Sequence, residues 1–171
     1  MNDQSCNNKF SLHNKYKRHT SSVAFNFEVG VTAKGVHTIN IESAGVVQTE
    51  GNQQQSFVER HYHWENKVLF QLSSNELLLF TAVLLNIKNS CTFDNHGSEH
   101  DKHLLMQYKN PNRLFLTLKT RNSQHNVWLH EGDLFYLSGI AINQIIKNTQ
   151  ATSWVDIISL IRNIYGRDAN S

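Results

Sequence analysis

Several things are scarce in this chain of 171 residues, which has two cysteines, one proline and no long apolar run. Cys6 lies in a polar stretch far from Cys91, so neither a metal knuckle nor a disulfide framework is available, and a reducing compartment is expected. Nowhere do roughly eighteen apolar residues follow one another, as a membrane span requires. The opening Met1-Asn2-Asp3-Gln4-Ser5 lacks the apolar core of a secretory signal, which makes a cytoplasmic location the expectation. Catalytic signatures are missing too: no glycine-rich phosphate loop, no Gly-x-Ser-x-Gly elbow and no His-Glu-x-x-His. A protein that is not an enzyme and has no cofactor is therefore expected. Charge of either sign is modest, with a formal net charge of +2. A duplex-DNA binder often carries more, but a single-strand binder relies partly on stacking, so nucleic acid is not excluded.

What is present is a phrase said twice. Leu69-Phe70-Gln71-Leu72-Ser73 and Leu134-Phe135-Tyr136-Leu137-Ser138 share Leu-Phe-x-Leu-Ser, 65 positions apart, each followed by apolar residues at helical spacing. Two copies so widely spaced indicate one domain of two similar halves, each a strand running into a helix. Residues 1–20, with the basic run Lys15-Tyr16-Lys17-Arg18-His19 and no apolar period, read as a flexible tail. From Val23 to Val31 apolar residues alternate with others, the period of a half-buried strand. Lys34-Gly35 makes a turn, residues 36–43 resume strand character, and residues 49–56 form a polar loop. Residues 57–72 divide into two strands around Glu65-Asn66. Ser73 and Glu76 form a capping box for a helix to about Ile87.

The second half repeats the plan. Residues 91–93 and 104–108 read as strands, Asn110-Pro111-Asn112 as a turn, and residues 113–121 as a strand with Leu114, Leu116 and Leu118 on one face. Residues 127–129 begin another strand, Glu131-Gly132-Asp133 bends it, and residues 134–137 lead as a strand into a helix over about 139–147. A terminal amphipathic helix over about 153–165 carries Trp154, Ile157, Ile158, Ile161 and Ile164 on one stripe, which either closes a subunit interface or covers its own core. The fold class is α+β: strands come in runs before each helix, which a parallel sheet does not allow.

The run Arg60-His61-Tyr62-His63-Trp64-Glu65-Asn66-Lys67-Val68-Leu69-Phe70-Gln71-Leu72-Ser73-Ser74-Asn75-Glu76, followed by Ser90-Cys91-Thr92-Phe93, resembles the Whirly family of single-stranded DNA-binding proteins. The strand Leu114 to Lys119 and the segment Leu134 to Lys147 are similar to that family's second half, so the likeness covers about residues 23–150. One departure stands out. The family's second strand typically carries Lys-Gly-Lys-Ala-Ala-Leu-Ser, whereas here Lys34-Gly35 is followed by Val36-His37-Thr38-Ile39. The resemblance implies two four-stranded antiparallel sheets, each followed by a helix, in a homotetramer. A similar topology is that of kinetoplastid mitochondrial guide-RNA-binding proteins and, at half size, of the coactivator positive cofactor four. It also implies a domain over residues 21–150 that binds single-stranded DNA largely without regard to sequence, in DNA maintenance, transfer or transcription regulation, with residues 151–171 as an added helix and tail. RNA as ligand, or a protein-interaction module of the same fold, are the alternatives.

Gripping a single strand requires flat apolar surfaces for bases interleaved with cations for phosphates. Arg60, Tyr62 and Trp64 share one expected strand face with Lys67 beyond the bend. Phe115 lies between Arg113, Lys119 and Arg121 on the face opposite the leucines, and Trp128 and Lys34 could extend the track. Strand aromatics are equally at home in a core, so Tyr62 and Trp64 have both readings. Ten histidines form the rival signal. His61 and His63 share a face, and Cys91, His96, His100 and His103 surround a loop with Asp94 and Asp101. Zinc takes such ligands, but the loop lacks a rigid frame and no metal site is assigned. His61 and His63 could instead stack on bases or titrate near neutral pH.

Overall fold

The computed structural model describes residues 14–47, 61–149 and 153–166. The fold is α+β, with two antiparallel four-stranded sheets and three helices. The first sheet is β1 (Lys15–His19), β2 (Val23–Val31), β3 (His37–Gly45) and β4 (Val68–Gln71), in that spatial order, followed by α1 (Ser74–Leu84). The second is β5 (Ser90–His96), β6 (Lys102–Asn110), β7 (Arg113–Lys119) and β8 (Gln124–Leu129), followed by α2 (Glu131–Thr149) and α3 (Trp154–Tyr165). Among the described residues no helix is long and apolar enough to cross a membrane.

Alternation decides which face of each strand is buried. In β2 and β3, Phe25, Phe27, Ile39 and Ile41 point one way, and Phe70 of β4 joins them opposite Ile41. Leu104 and Met106 of β6 and Leu114, Leu116 and Leu118 of β7 do the same in the second sheet. These faces, with Leu77, Phe80 and Val83 of α1, Leu137 and Ile140 of α2, and Ile157 and Ile161 of α3, form one shared apolar cluster. The sheets also touch directly: Ser43 Oγ and His125 Nδ1 are hydrogen-bonded at 2.8 Å, and the Phe70 ring stacks on His96 at 4.0 Å between centroids.

Three sequence expectations change. Residues 15–19 are an edge strand, not tail; residues 1–13 lie outside the described ones. No apolar period marks β1, because it is docked by polar bonds to a residue 117 positions away: the Tyr16 hydroxyl donates to Asp133 Oδ1 at 2.5 Å, and Arg18 Nε stands 3.8 Å from Oδ2. The expected strand over residues 57–64 is not one where it is described. Tyr62 makes a single bridge to Val46, and Trp64–Asn66 is a turn of 3₁₀ helix. The repeated phrase, finally, is not a structural repeat. Its first copy is β4 plus the Ser73 cap, whose two reciprocal bonds are both present, whereas its second copy lies wholly inside α2. Asp133 Oδ2 accepts from the His130 backbone N–H at 2.7 Å, which is the reach-back half of a capping box and starts α2 earlier than expected.

Near the other end of α2, Asn148 stitches the helix to β3. Its Oδ1 accepts from the His37 N–H at 2.8 Å and its Nδ2 donates to the His37 carbonyl at 2.7 Å, as a neighbouring strand's peptide would.

Candidate nucleic-acid interface

The outer face of the second sheet follows from the parity of its leucines. With Leu114, Leu116 and Leu118 inward, Arg113, Phe115, Thr117 and Lys119 must face out. Antiparallel register then lays out three rows across β6, β7 and β8: Gln107, Phe115 and Trp128; Leu105, Thr117 and Asn126; His103, Lys119 and Gln124. Phe115 and Trp128 are cross-strand neighbours with ring centroids 4.7 Å apart and planes tilted by 53°. The Arg113 guanidinium lies over the Trp128 ring, 5.4 Å from its centre, close enough for cation–π attraction. Trp128 remains 38% exposed, so its ring is held in place yet still offers surface.

The cations of this face sit at its two ends. Arg113 and Lys109 flank the β6–β7 turn, and Lys119 closes the opposite end, about 20 Å away at strand rise. Neither the Arg113 guanidinium nor the Lys119 ammonium has a carboxylate partner among the described residues. Arg121 lies just past β7, where its backbone N–H donates to Asp101 Oδ2 at 3.2 Å. His103 Nδ1 is 2.7 Å from Asp94 Oδ1, which ties that acid to a neighbour on the same face.

The first sheet's outer face is different in kind. Lys15 pairs with Glu28 at 3.1 Å and Lys67 with Glu42 at 2.5 Å, and Asn26 Nδ2 donates to both glutamates. The Lys15 ammonium is the main reason the Glu28 carboxyl is held below the usual carboxylate range. Lys67 is thus engaged within the fold. Tyr62 is half-buried: its hydroxyl donates to the Thr20 carbonyl at 2.8 Å and its ring rests on His19 and Trp64. Reaching from the Val46 bridge to Thr20 carries it across the row His19, Ala24, Ala44, where the alanines leave room for a ring. Lys34 is exposed in the β2–β3 turn, away from the second sheet's track, and Arg60 lies outside the described residues. The structure therefore brings Arg113, Phe115, Lys119 and Trp128 onto one face of the second sheet, whereas Lys67 is paired on the first sheet, Tyr62 and Trp64 pack beside it, and Lys34 is in the β2–β3 turn.

No family model, curated protein or solved structure matches this chain. The loop histidines are each paired separately: His96 Nε2 with Glu76 Oε1 at 2.7 Å, His103 with Asp94, and His100 Nδ1 with the Asn95 carbonyl at 3.1 Å. Among the described residues no three His, Cys, Asp or Glu side chains converge as a metal set. Cys91 is buried, and burial pushes its thiol up to about 12, which makes it unreactive.

Sequence reasoning missed Lys109, Gln107 and Asn126 as members of the outer face. The signal was available for the first two: once Leu104, Met106 and Tyr108 are inward, Gln107 and Lys109 are outward by parity. Glu28 and Glu42 were missed for a different reason, since nothing local to Lys15 or Lys67 announces a partner across the sheet.

Proposed function

We propose that this protein binds single-stranded nucleic acid on the outer face of β5–β8. The observation that carries the reading is the trio Arg113, Phe115 and Trp128: an aromatic pair fixed at a tilt, with a guanidinium over one ring, on an outward sheet face whose neighbouring rows carry Gln107, Thr117 and Asn126. Bases stack on such rings whatever their identity, and the cations at both ends suit phosphates. The layout of four antiparallel strands and a helix, twice over, is the one that the Whirly resemblance implies, and that resemblance favours DNA over RNA. It also favours a homotetramer. In this reading the protein is a binder of exposed strands in DNA maintenance, transfer or transcription regulation, and not a catalyst.

A protein-interaction role for the same fold draws on another observation, the apolar side chains exposed on α2 and α3, with Phe135 at 73% and Val155 at 70%. The two readings separate in one experiment. Fluorescence anisotropy with a mixed-sequence oligomer as single-stranded DNA, duplex DNA and single-stranded RNA, over a salt series, should give salt-sensitive binding that prefers single strands. Arg113→Ala with Lys119→Ala should weaken binding of mixed-sequence strands and reduce the salt slope by roughly one unit per lost phosphate contact. An unchanged slope removes the second sheet from the site. Absence of binding at low salt leaves the protein-interaction role.

A further inference from the structure

We infer that the aromatic subsite on the second sheet prefers bases that present carbonyl oxygens, thymine or uracil, over bases that present an amino group. This rests on the single-strand reading of that face and concerns what the polar side chains around Phe115 and Trp128 have left to offer.

The two amides nearest the ring pair have their oxygens engaged within the fold and their N–H groups free. Asn126 Oδ1 accepts from the Thr117 hydroxyl at 2.9 Å and from Gln124 Nε2 at 3.4 Å. Gln107 Oε1 accepts from the Lys109 ammonium, and because an ammonium only donates, the orientation of that amide is fixed. Neither Asn126 Nδ2 nor Gln107 Nε2 has a partner among the described residues. Gln107 shares the row of Phe115 and Trp128, and Asn126 lies one row along, beside Thr117. Arg113, on the other side of the rings, donates only. A base lying on Phe115 or Trp128 therefore meets the free N–H groups of Gln107, Asn126 and Arg113, against the single hydroxyl oxygen of Thr117 as a side-chain acceptor in the adjoining row. The Gln124 amide oxygen, which has no partner among the described residues, belongs to the far row beside Lys119.

A ring of donors discriminates by what it cannot satisfy. Thymine and uracil carry a carbonyl where cytosine carries an amino group, and adenine likewise has an exocyclic amine. An amine placed against N–H groups leaves donors on both sides unpaired, which costs more than a missing bond alone. The preference is modest, since each bond is exposed to water: roughly two- to ten-fold per base contact.

Thymine and cytosine oligomers are the probes, because both are flexible pyrimidines and differ mainly at the amino or carbonyl edge. Competition anisotropy with oligo(dT), oligo(dU) and oligo(dC) of one length should rank thymine and uracil together, ahead of cytosine. The match of thymine and uracil excludes the methyl group as the cause. Asn126→Leu with Gln107→Met should bring the thymine-to-cytosine ratio toward one while mixed-sequence strands still bind, and Asn126→Ala alone should go part of the way. Circular dichroism and melting check that the variants fold. Equal affinity of the wild-type protein for thymine and cytosine oligomers overturns the inference, as does a preference that survives in all folded variants. Failure to bind any oligomer overturns the single-strand reading itself, and is distinct from binding without preference.

Discussion

Asp133 is almost fully buried, and both of its oxygens are committed: Oδ1 to the Tyr16 hydroxyl, Oδ2 to the His130 N–H, with the Arg18 guanidinium nearby. Burial first, and the bond to Asp133 second, push the Tyr16 hydroxyl up to about 12. For a group whose protonated form the fold favours, the stabilisation is complete below the ordinary tyrosine range and is lost as pH rises toward the folded value. Tyr16→Phe strips Asp133 Oδ1 of its donor while keeping the ring that stacks on Tyr136 at 5.7 Å. Denaturant unfolding at neutral pH should show a loss of about 1–3 kcal/mol, the usual cost of an orphaned buried acceptor. Stability equal to wild type would mean that Arg18 or water takes over the bond. The same scale separates two aromatic roles that sequence could not: Tyr62 is anchored through its hydroxyl, whereas Trp128 is held by its tilted contact with Phe115 and by the Arg113 guanidinium.

At the scale of elements, the contact between β3 and β8 joins the two sheets through Ser43 and His125. Burial holds the His125 imidazole below its ordinary value of 6.5. Below about pH 6.5 the unfolded chain takes up a proton that the folded chain resists, so this junction's contribution is full above that value and falls as pH drops toward the folded one. Replacing His125 by Gln should therefore flatten the fall in melting temperature between about pH 7.5 and pH 5.5 relative to wild type. A fall as steep as wild type's would place the acid sensitivity elsewhere. How legible each element was depended on where its stabilising partners lie. β7 could be read outright, because its leucines alternate and each finds the core beneath its own strand. The α1 start was legible because Ser73 and Glu76 bond each other across three residues. β1 was not, since Tyr16 and Arg18 depend on Asp133, and the start of α2 was misjudged because Asp133 serves as cap where the sequence suggested a bend. The outer face was half legible: Arg113, Phe115 and Lys119 follow from one strand's parity, but the pairing of Phe115 with Trp128 needed the register between strands.

Taken whole, the molecule has two sheets of like topology and unlike surface. One pairs Lys15 and Lys67 with Glu28 and Glu42 and leaves Lys17 without a carboxylate partner, and the other has Arg113 and Lys119 without carboxylate partners among the described residues but adds the Phe115 and Trp128 ring pair, so duplication of form has not meant duplication of the candidate site. The helices add a second asymmetry. Leu160 and Ile164 stay 56% and 62% exposed on α3, although Ile157 and Ile161 of the same helix are buried in the core. The proposed tetramer would bury such side chains between protomers, and light scattering should then return a mass several times that of one chain. Leu160→Ser with Ile164→Ser should lower that mass while the melting curve of the remaining species stays cooperative. A wild-type protein that runs as a monomer would end the assembly proposal. One bond has a consequence in time. A ribosome makes β1 before anything else in the first sheet, yet the carboxylate that secures it emerges more than a hundred residues later. Until the second half has been synthesised, β1 is therefore held by its ladder to β2 alone, and its docking onto α2 is completed late.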